Sequence, residues 1–319
     1  MRATHVGRAG AREGGVRLTR RGMLGGMGAF FAAGARADNA SPSAPAPAGA
    51  KSVTPMRLYG HRGALIHAPE NTLPALELCL LTGCGFEIDF RELRDGEIIA
   101  LHDGTFNRTT DTRVPQDQPP RRDLAYVKGL DAGAWFHPDF AGIRIPTLAE
   151  VCELIRRRTR GEYVVMLMDV KILTRNFLER VQAEFEKPGN LYARALFRVD
   201  TPEQARIIKA CDTRFVCVKS GNGRNVAREA LEHPQLFDGI WTGSLDAAAE
   251  MRQAGKAAYL TLFNRPEQAV RLRDMGVTGL ITNYPAELKR VAYPPPAERD
   301  WDNYLKTPEK EGYRFSGNI

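Results

Sequence analysis

Two acids two residues apart, Glu87 and Asp89, stand within the run Phe86-Glu87-Ile88-Asp89-Phe90. Side chains alternate along a strand, so both carboxylates face one side while Phe86, Ile88 and Phe90 pack on the other. Two carboxylates on the inner face of a buried strand cannot stay ionised without a compensating cation. A divalent metal is the economical answer, and hard oxygen donors select Mg²⁺ or Ca²⁺ over zinc. An arginine-paired structural cluster is the plain alternative. Asp169 and Lys171 repeat the two-residue spacing at the end of a later apolar run. Asp169 is thus a candidate third metal ligand and Lys171 a candidate phosphate contact, with an internal Asp–Lys ion pair as the alternative.

His61-Arg62-Gly63 directly follows the first apolar run. Gly63 permits a tight turn, Arg62 offers a planar fork suited to a phosphate, and His61 can move protons near neutral pH. Asp95-Gly96 reads as a two-residue hairpin turn between Leu93-Arg94 and Glu97-Ile98. In that tight register paired residue numbers sum to 191, which sets Asp89 opposite His102; a bulge would slip the pairing by one.

The elements that must carry these side chains alternate. Strand patterns fall at 56–60, 85–90, 163–170, 194–199, 215–218, 239–242, 256–262 and 279–282. Helical patterns at 72–81, 148–158, 175–185, 202–211, 226–231, 245–254 and 266–275 separate them. Strand and helix repeated eight times predict a parallel sheet, and eight units predict a closed (β/α)₈ TIM barrel. An open doubly wound sheet is the rival, but no G-x-G-x-x-G follows the first strand. One long excursion after the second strand breaks the rhythm. It begins with a short return strand at 97–102 and continues as an irregular segment over 104–146, on the face where barrel enzymes work.

Composition narrows the function. The formal charge is +7, but seven arginines and a single acid, Glu13, lie in residues 1–37; the remainder holds 38 basic and 37 acidic residues. A body so close to neutral does not fit a nucleic-acid partner. Thr19-Arg20-Arg21-Gly22-Met23-Leu24, an uncharged stretch to Ala35 and an Ala35-Arg36-Ala37 cleavage site resemble a twin-arginine export signal over 1–37. The expectations are a periplasmic or secreted protein, a flexible Ala/Ser/Pro-rich spacer at 38–55, a barrel at 56–293 and a polar tail at 294–319. No stable membrane insertion is expected after cleavage. The five cysteines match no zinc spacing and are expected to be small buried hydrophobes, with a Cys79–Cys84 bridge as the alternative.

Taken together, His61-Arg62-Gly63, Pro69-Glu70-Asn71-Thr72, Glu87-Ile88-Asp89, His102-Asp103, Arg108-Thr109-Thr110 and Ile145-Pro146-Thr147-Leu148 resemble the ordered signature of the glycerophosphodiester phosphodiesterase family. The likeness runs from Leu58 to about Pro285. It implies a (β/α)₈ barrel that hydrolyses small-molecule glycerophosphodiesters to an alcohol and glycerol 3-phosphate. His61 and His102 would be the acid–base pair, Glu87 and Asp89 metal ligands, and Arg62 the phosphate contact. Three positions depart from the pattern. Asp169-Val170-Lys171 stands where Glu-x-Lys is usual, which also resembles a sphingomyelinase D-like branch and opens lysophospholipid or sphingolipid substrates. Asn283 replaces the Asp of a closing Thr-Asp-Tyr-Pro, and Thr278 an Asp; both are expected away from the metal cluster, altering stability or substrate fit. Trp135-Phe136, Tyr259 and Phe263 are candidates for an alcohol pocket or for core, and Lys219 and Trp241 for substrate contacts. A noncatalytic phosphodiester-binding protein is the reading from another class, opposed by retention of both histidines and every candidate ligand.

Overall fold

In a computed structural model, residues 55–159 and 163–294 are described, and they fall within one compact unit. The export signal lies outside them, as do all but the last residue of the spacer and all but the first of the tail.

In chain order the strands are β1 (Arg57–Gly60), β2 (Gly85–Glu92), β3 (Ile98–Ala100), β4 (Met166–Val170), β5 (Ala195–Val199), β6 (Cys217–Ser220), β7 (Gly239–Thr242), β8 (Ala257–Thr261) and β9 (Gly279–Thr282). The helices are α1 (Leu73–Leu81), α2 (Leu124–Gly129), α3 (Leu148–Arg158), α4 (Arg175–Phe185), α5 (Pro202–Cys211), α6 (Asn225–Glu232), α7 (Leu245–Gln253), α8 (Pro266–Asp274) and α9 (Pro285–Ala292). All strands but β3 run parallel, and β1 pairs with both β9 and β2, which closes an eight-stranded (β/α)₈ barrel. Among the described residues no helix is long and apolar enough to cross a membrane.

Strand alternation sorts the core into two compartments. Outward-facing Phe86, Ile88, Phe90, Met166, Met168 and Phe197 pack beneath the helices. Tyr59, Leu167, Leu196, Val218, Trp241, Tyr259 and Ile281 fill the barrel interior, the layered filling that makes such a barrel a solid core. The Tyr59 ring lies within this interior, and its hydroxyl donates to the Val164 carbonyl at 3.1 Å. Two neighbouring strands give it room by carrying glycine: a Cβ on Gly85 or Gly279 would come within 2.5 and 2.7 Å of the ring.

The excursion is more ordered than the expected irregular segment. Leu93, Ile99, Leu101, Phe106, Val127, Leu130, Ala132 and Ile145 form a small core of their own, with α2 inside it. Buried Asp117 ties that loop together, accepting from Arg122, Thr112 and the Tyr126 hydroxyl. The Ala100 N–H donates to the Pro146 carbonyl, joining β3 to the end of the excursion. Thr147 then opens α3 in a reciprocal cap with Glu150, worth about 1 kcal/mol. α2 escaped the period-based reading because six residues are too few to show a repeat. α9 follows a proline that suits the first turn of a helix as well as a loop.

The hairpin register is a correction. Phe90 pairs with Ala100 and Arg91 with Ile99, so partners sum to 190 and Leu101, not His102, lies opposite Asp89. The turn holds three residues, Arg94, Asp95 and Gly96, because Gly96 takes φ +80° and Leu93 pairs with Glu97. A left-handed residue closing a three-residue loop supplies the one-residue slip.

Candidate active site

The loop after β1 is wound by two consecutive left-handed residues, Arg62 (φ 55°) and Gly63 (φ 85°). A side chain at Gly63 would meet Ala75 at 2.9 Å. Arg62 has no such freedom, and a non-glycine residue in that region costs roughly 1 kcal/mol or more. Its backbone N–H is held by Glu87 Oε2 at 2.7 Å, so the turn is pinned to the acid pair itself. Asn71, also left-handed at φ 55°, donates its side-chain amide to Asp89 Oδ2 at 2.9 Å and accepts the Asp89 N–H at 3.2 Å.

Glu87, Asp89 and Asp169 come together: each offers an oxygen within 4.8 Å of the others. Asp89 and Asp169 are register partners, and Asp169 is in turn level with Arg198 on β5. Lys171 Nζ bridges Asp89 at 2.9 Å and Asp169 at 2.8 Å, Arg198 Nη1 donates to Asp169 at 3.0 Å, and Arg62 Nε lies 3.7 Å from Asp89. Burial pushes the Asp169 carboxyl up, but Arg198 and Lys171 outweigh it and hold it below its ordinary value. Glu87 is different. Burial, then Asp89 and Asp169, push its carboxyl well above the ordinary range, and it has no ion-pair partner among the described residues. The chemistry of this donor set, three clustered carboxylates with one left uncompensated, fits a hard divalent cation.

Both histidines follow strands that flank β2, the strand carrying Glu87 and Asp89. β4 occupies one edge of β2, so β1, paired at Gly85 and Phe86, and β3, paired from Phe90 to Glu92, share the other. The chain leaving β1 reaches His61 at the level of Glu87, and the chain leaving β3 reaches His102 at the level of Ile88, from opposite directions. His61 Nδ1 lies 3.0 Å from Asn283 Oδ1. Burial, then the Arg62 charge, lower its pKa to about 4. His102 Nδ1 contacts Asp103 Oδ1 at 2.8 Å, and its backbone carbonyl accepts both Nε and Nη2 of Arg91. The Arg108 hydrogen bonds hold the Asp103 carboxyl well below the usual range.

Asn283 is the second correction. Its expected role was in stability or substrate fit away from the metal cluster, and it instead touches a candidate catalytic histidine because barrel closure sets β9 beside β1. Thr278 does act at a distance, accepting the Ala258 N–H where β9 begins. Three site residues escaped attention. Arg198 is next to last in β5, level with Asp169, and Lys171 stands just past β4, both near the strand ends that face the active side. Asp103 and Arg108 were visible only as members of motifs.

Other candidates go elsewhere. Tyr259 is interior core, and Phe263 packs on the outer core. Lys219 is buried against Glu229 and the Ser220 carbonyl, and Trp241 lies under Arg198, 5.9 Å from its guanidinium carbon. All five cysteines are free thiols.

Known proteins share this fold. The sequence profile described as "Glycerophosphoryl diester phosphodiesterase family" matches residues 61–287. A glycerophosphodiester phosphodiesterase of Bacillus subtilis is 24% identical over 252 residues, spanning 72% of this chain and 84% of its own length. One from Caldanaerobacter subterraneus is 42% identical over 99 residues, 31% of this chain and 40% of its own. Among solved structures, an Oleispira antarctica phosphodiesterase in complex with the product sn-glycerol-3-phosphate superposes with TM-score 0.66 at 24% identity, covering 74% of this chain and 96% of its own. A glycerophosphodiester phosphodiesterase from Agrobacterium tumefaciens gives 0.61 at 21%, covering 72% and 97%. With the barrel, the acid cluster and the matched span in agreement, this chain belongs to the glycerophosphoryl diester phosphodiesterase family.

Proposed function

We propose that this protein hydrolyses glycerophosphodiesters to an alcohol and glycerol 3-phosphate, with Mg²⁺ or Ca²⁺ held by Glu87, Asp89 and Asp169. The observation that carries this reading is Glu87, a buried carboxylate with no ion-pair partner among the described residues, inside a three-carboxylate cluster. When bound, the cation supplies charge for a nonbridging phosphate oxygen and for the glycerol hydroxyls. Arg62 and Lys171 stabilise the negative charge that grows on the phosphoryl oxygens. With Asn283 Oδ1 accepting, His61 carries its proton on Nδ1 and presents a bare Nε2. A ring whose pKa is about 4 is neutral at working pH, so His61 is the base that takes the proton of the attacking hydroxyl. His102, oriented by Asp103 at its Nδ1, takes the complementary role and protonates the departing alkoxide from Nε2.

The test is release of glycerol 3-phosphate from glycerophosphocholine by purified protein, with EDTA and then with Mg²⁺ or Ca²⁺ restored. Loss of activity on chelation and recovery on repletion are expected; full activity in excess chelator overturns the metal reading.

A second reading, action on lysophospholipids, draws support from Trp135. It is 40% exposed, stacks edge-to-face on Phe136, and is tied by its indole N–H to Ala132, which lines a small cavity with His102 and Glu70. Faster turnover of lysophosphatidylcholine than of glycerophosphocholine would favour it. We also propose export through the twin-arginine-type signal; recovery of a shortened chain in the periplasmic or culture fraction checks it.

A further inference from the structure

Glu70 and Asp103 lie on different loops, one after β1 and one just past β3, and a single guanidinium joins them. Arg108 Nη1 and Nη2 donate to Glu70 Oε2 and Oε1 at 2.8 and 2.7 Å. Its Nε and Nη2 donate to Asp103 Oδ2 and Oδ1 at 2.6 and 3.0 Å. Beyond each carboxylate stands a residue of the proposed machinery. Glu70 Oε1 accepts Arg62 Nη1 at 3.0 Å, and Asp103 Oδ1 meets His102 Nδ1 at 2.8 Å. An unbroken chain, Arg62–Glu70–Arg108–Asp103–His102, therefore spans the two loops.

The plain alternative is a stabilising ion-pair network. The Arg108 side chain is 44% exposed, and Glu70 10%; pairs that wet are worth little to stability. What a planar fork adds at such exposure is geometry, because its two edges fix two carboxylates in one plane, which the point charge of a lysine does not do.

We propose that Arg108 is a positioning residue: it locks Asp103 against His102 and Glu70 against Arg62, and so sets the acid histidine and the phosphate contact in register across the excursion. Its side chain contacts Glu70 and Asp103 and none of the three clustered carboxylates. The inference rests on His102 acting in the acid–base pair.

Two measurements test it, one of them independent of turnover. In the first, Arg108→Gln is combined with His102→Ala on glycerophosphocholine. Arg108→Gln alone is expected to lower kcat about 10- to 100-fold with KM changed less than about threefold, and to add less than about threefold once His102 is gone. Multiplying losses in the double variant, or a loss confined to KM, overturns the proposal. Arg108→Lys is expected to recover less than a tenth of the lost kcat, and full recovery by lysine would show that charge alone matters. In the second, histidine-selective ¹⁵N spectra read the ring directly. The His102 resonances shift in Arg108→Gln and stay unmoved in Arg144→Gln, a control whose exposed side chain contacts the Gly129 carbonyl within the same excursion. Unmoved His102 resonances in Arg108→Gln overturn the coupling whether or not the wild type turns over this substrate. Wild-type inactivity with a shifted ring would instead count against the proposed reaction alone.

Discussion

The two histidines stand beside the same strand, β2, in unlike settings. His61 follows a barrel strand, is half-buried, and leans on a neutral amide from a residue 222 positions away. His102 begins the excursion, has a side chain 34% exposed, and leans on the carboxylate of its own neighbour, Asp103. An amide oxygen orients an imidazole without balancing a charge, whereas a carboxylate does both. Burial and the Arg62 charge, not the amide, keep the first ring neutral, and the second ring has a carboxylate for its hydrogen-bond partner. Enzymes that need an acid and a base at one pH separate them by environment in this way.

The largest test of that contrast is deletion of each ring. His61→Ala and His102→Ala are each expected to lower kcat/KM about 10²- to 10⁴-fold in glycerol 3-phosphate release. Near-normal activity in either would end the pairing. Next come the partners. Hydrogen bonds to charged groups contribute about 1.5–3 kcal/mol and neutral ones about 0.5–1.5. Asp103→Asn should therefore reduce kcat about 10- to 100-fold and Asn283→Ala about 2- to 10-fold. Equal losses would erase the distinction.

A subtler change converts one setting into the other. Asn283→Asp puts a carboxylate against His61 and raises its pKa. Activity that requires neutral His61 is then lost at higher pH, with the acid limb of kcat/KM expected to move up by about one unit or more. A stationary limb would remove His61 as the base. The smallest effect is on stability. His61 titrates near 4 when folded against 6.5 when unfolded, so between those values the unfolded chain binds the extra proton. Its contribution is intact above pH 6.5 and is lost as pH falls toward 4. His61→Gln should flatten the decline of Tm across that window relative to wild type, and an unchanged slope would refute the buried, neutral ring.

Much of this was legible in the chain. Alternation in Phe86-Glu87-Ile88-Asp89-Phe90 needs no tertiary information, because strand geometry sends every second side chain to one face. The helices α3, α4 and α5 were readable to the residue since they carry apolar repeats and start at Thr147, Thr174 and Thr201. The hairpin was legible in kind but not in register, because Asp95-Gly96 suits both a two- and a three-residue loop, and only the left-handed Gly96 decides between them.

By itself the sequence determined the strand–helix alternation, the pairing of Glu87 with Asp89 and the presence of both histidines, since these follow from periodicities within a few residues. Barrel closure decided the rest. It set Asn283 on His61, Arg198 on Asp169, and Arg108 between Glu70 and Asp103. These contacts join residues from 5 to 222 positions apart, and which loops meet depends on how all eight strands pack rather than on any local pattern. The substitution that looked peripheral in the chain, asparagine at position 283, is thereby the hydrogen-bond partner of His61.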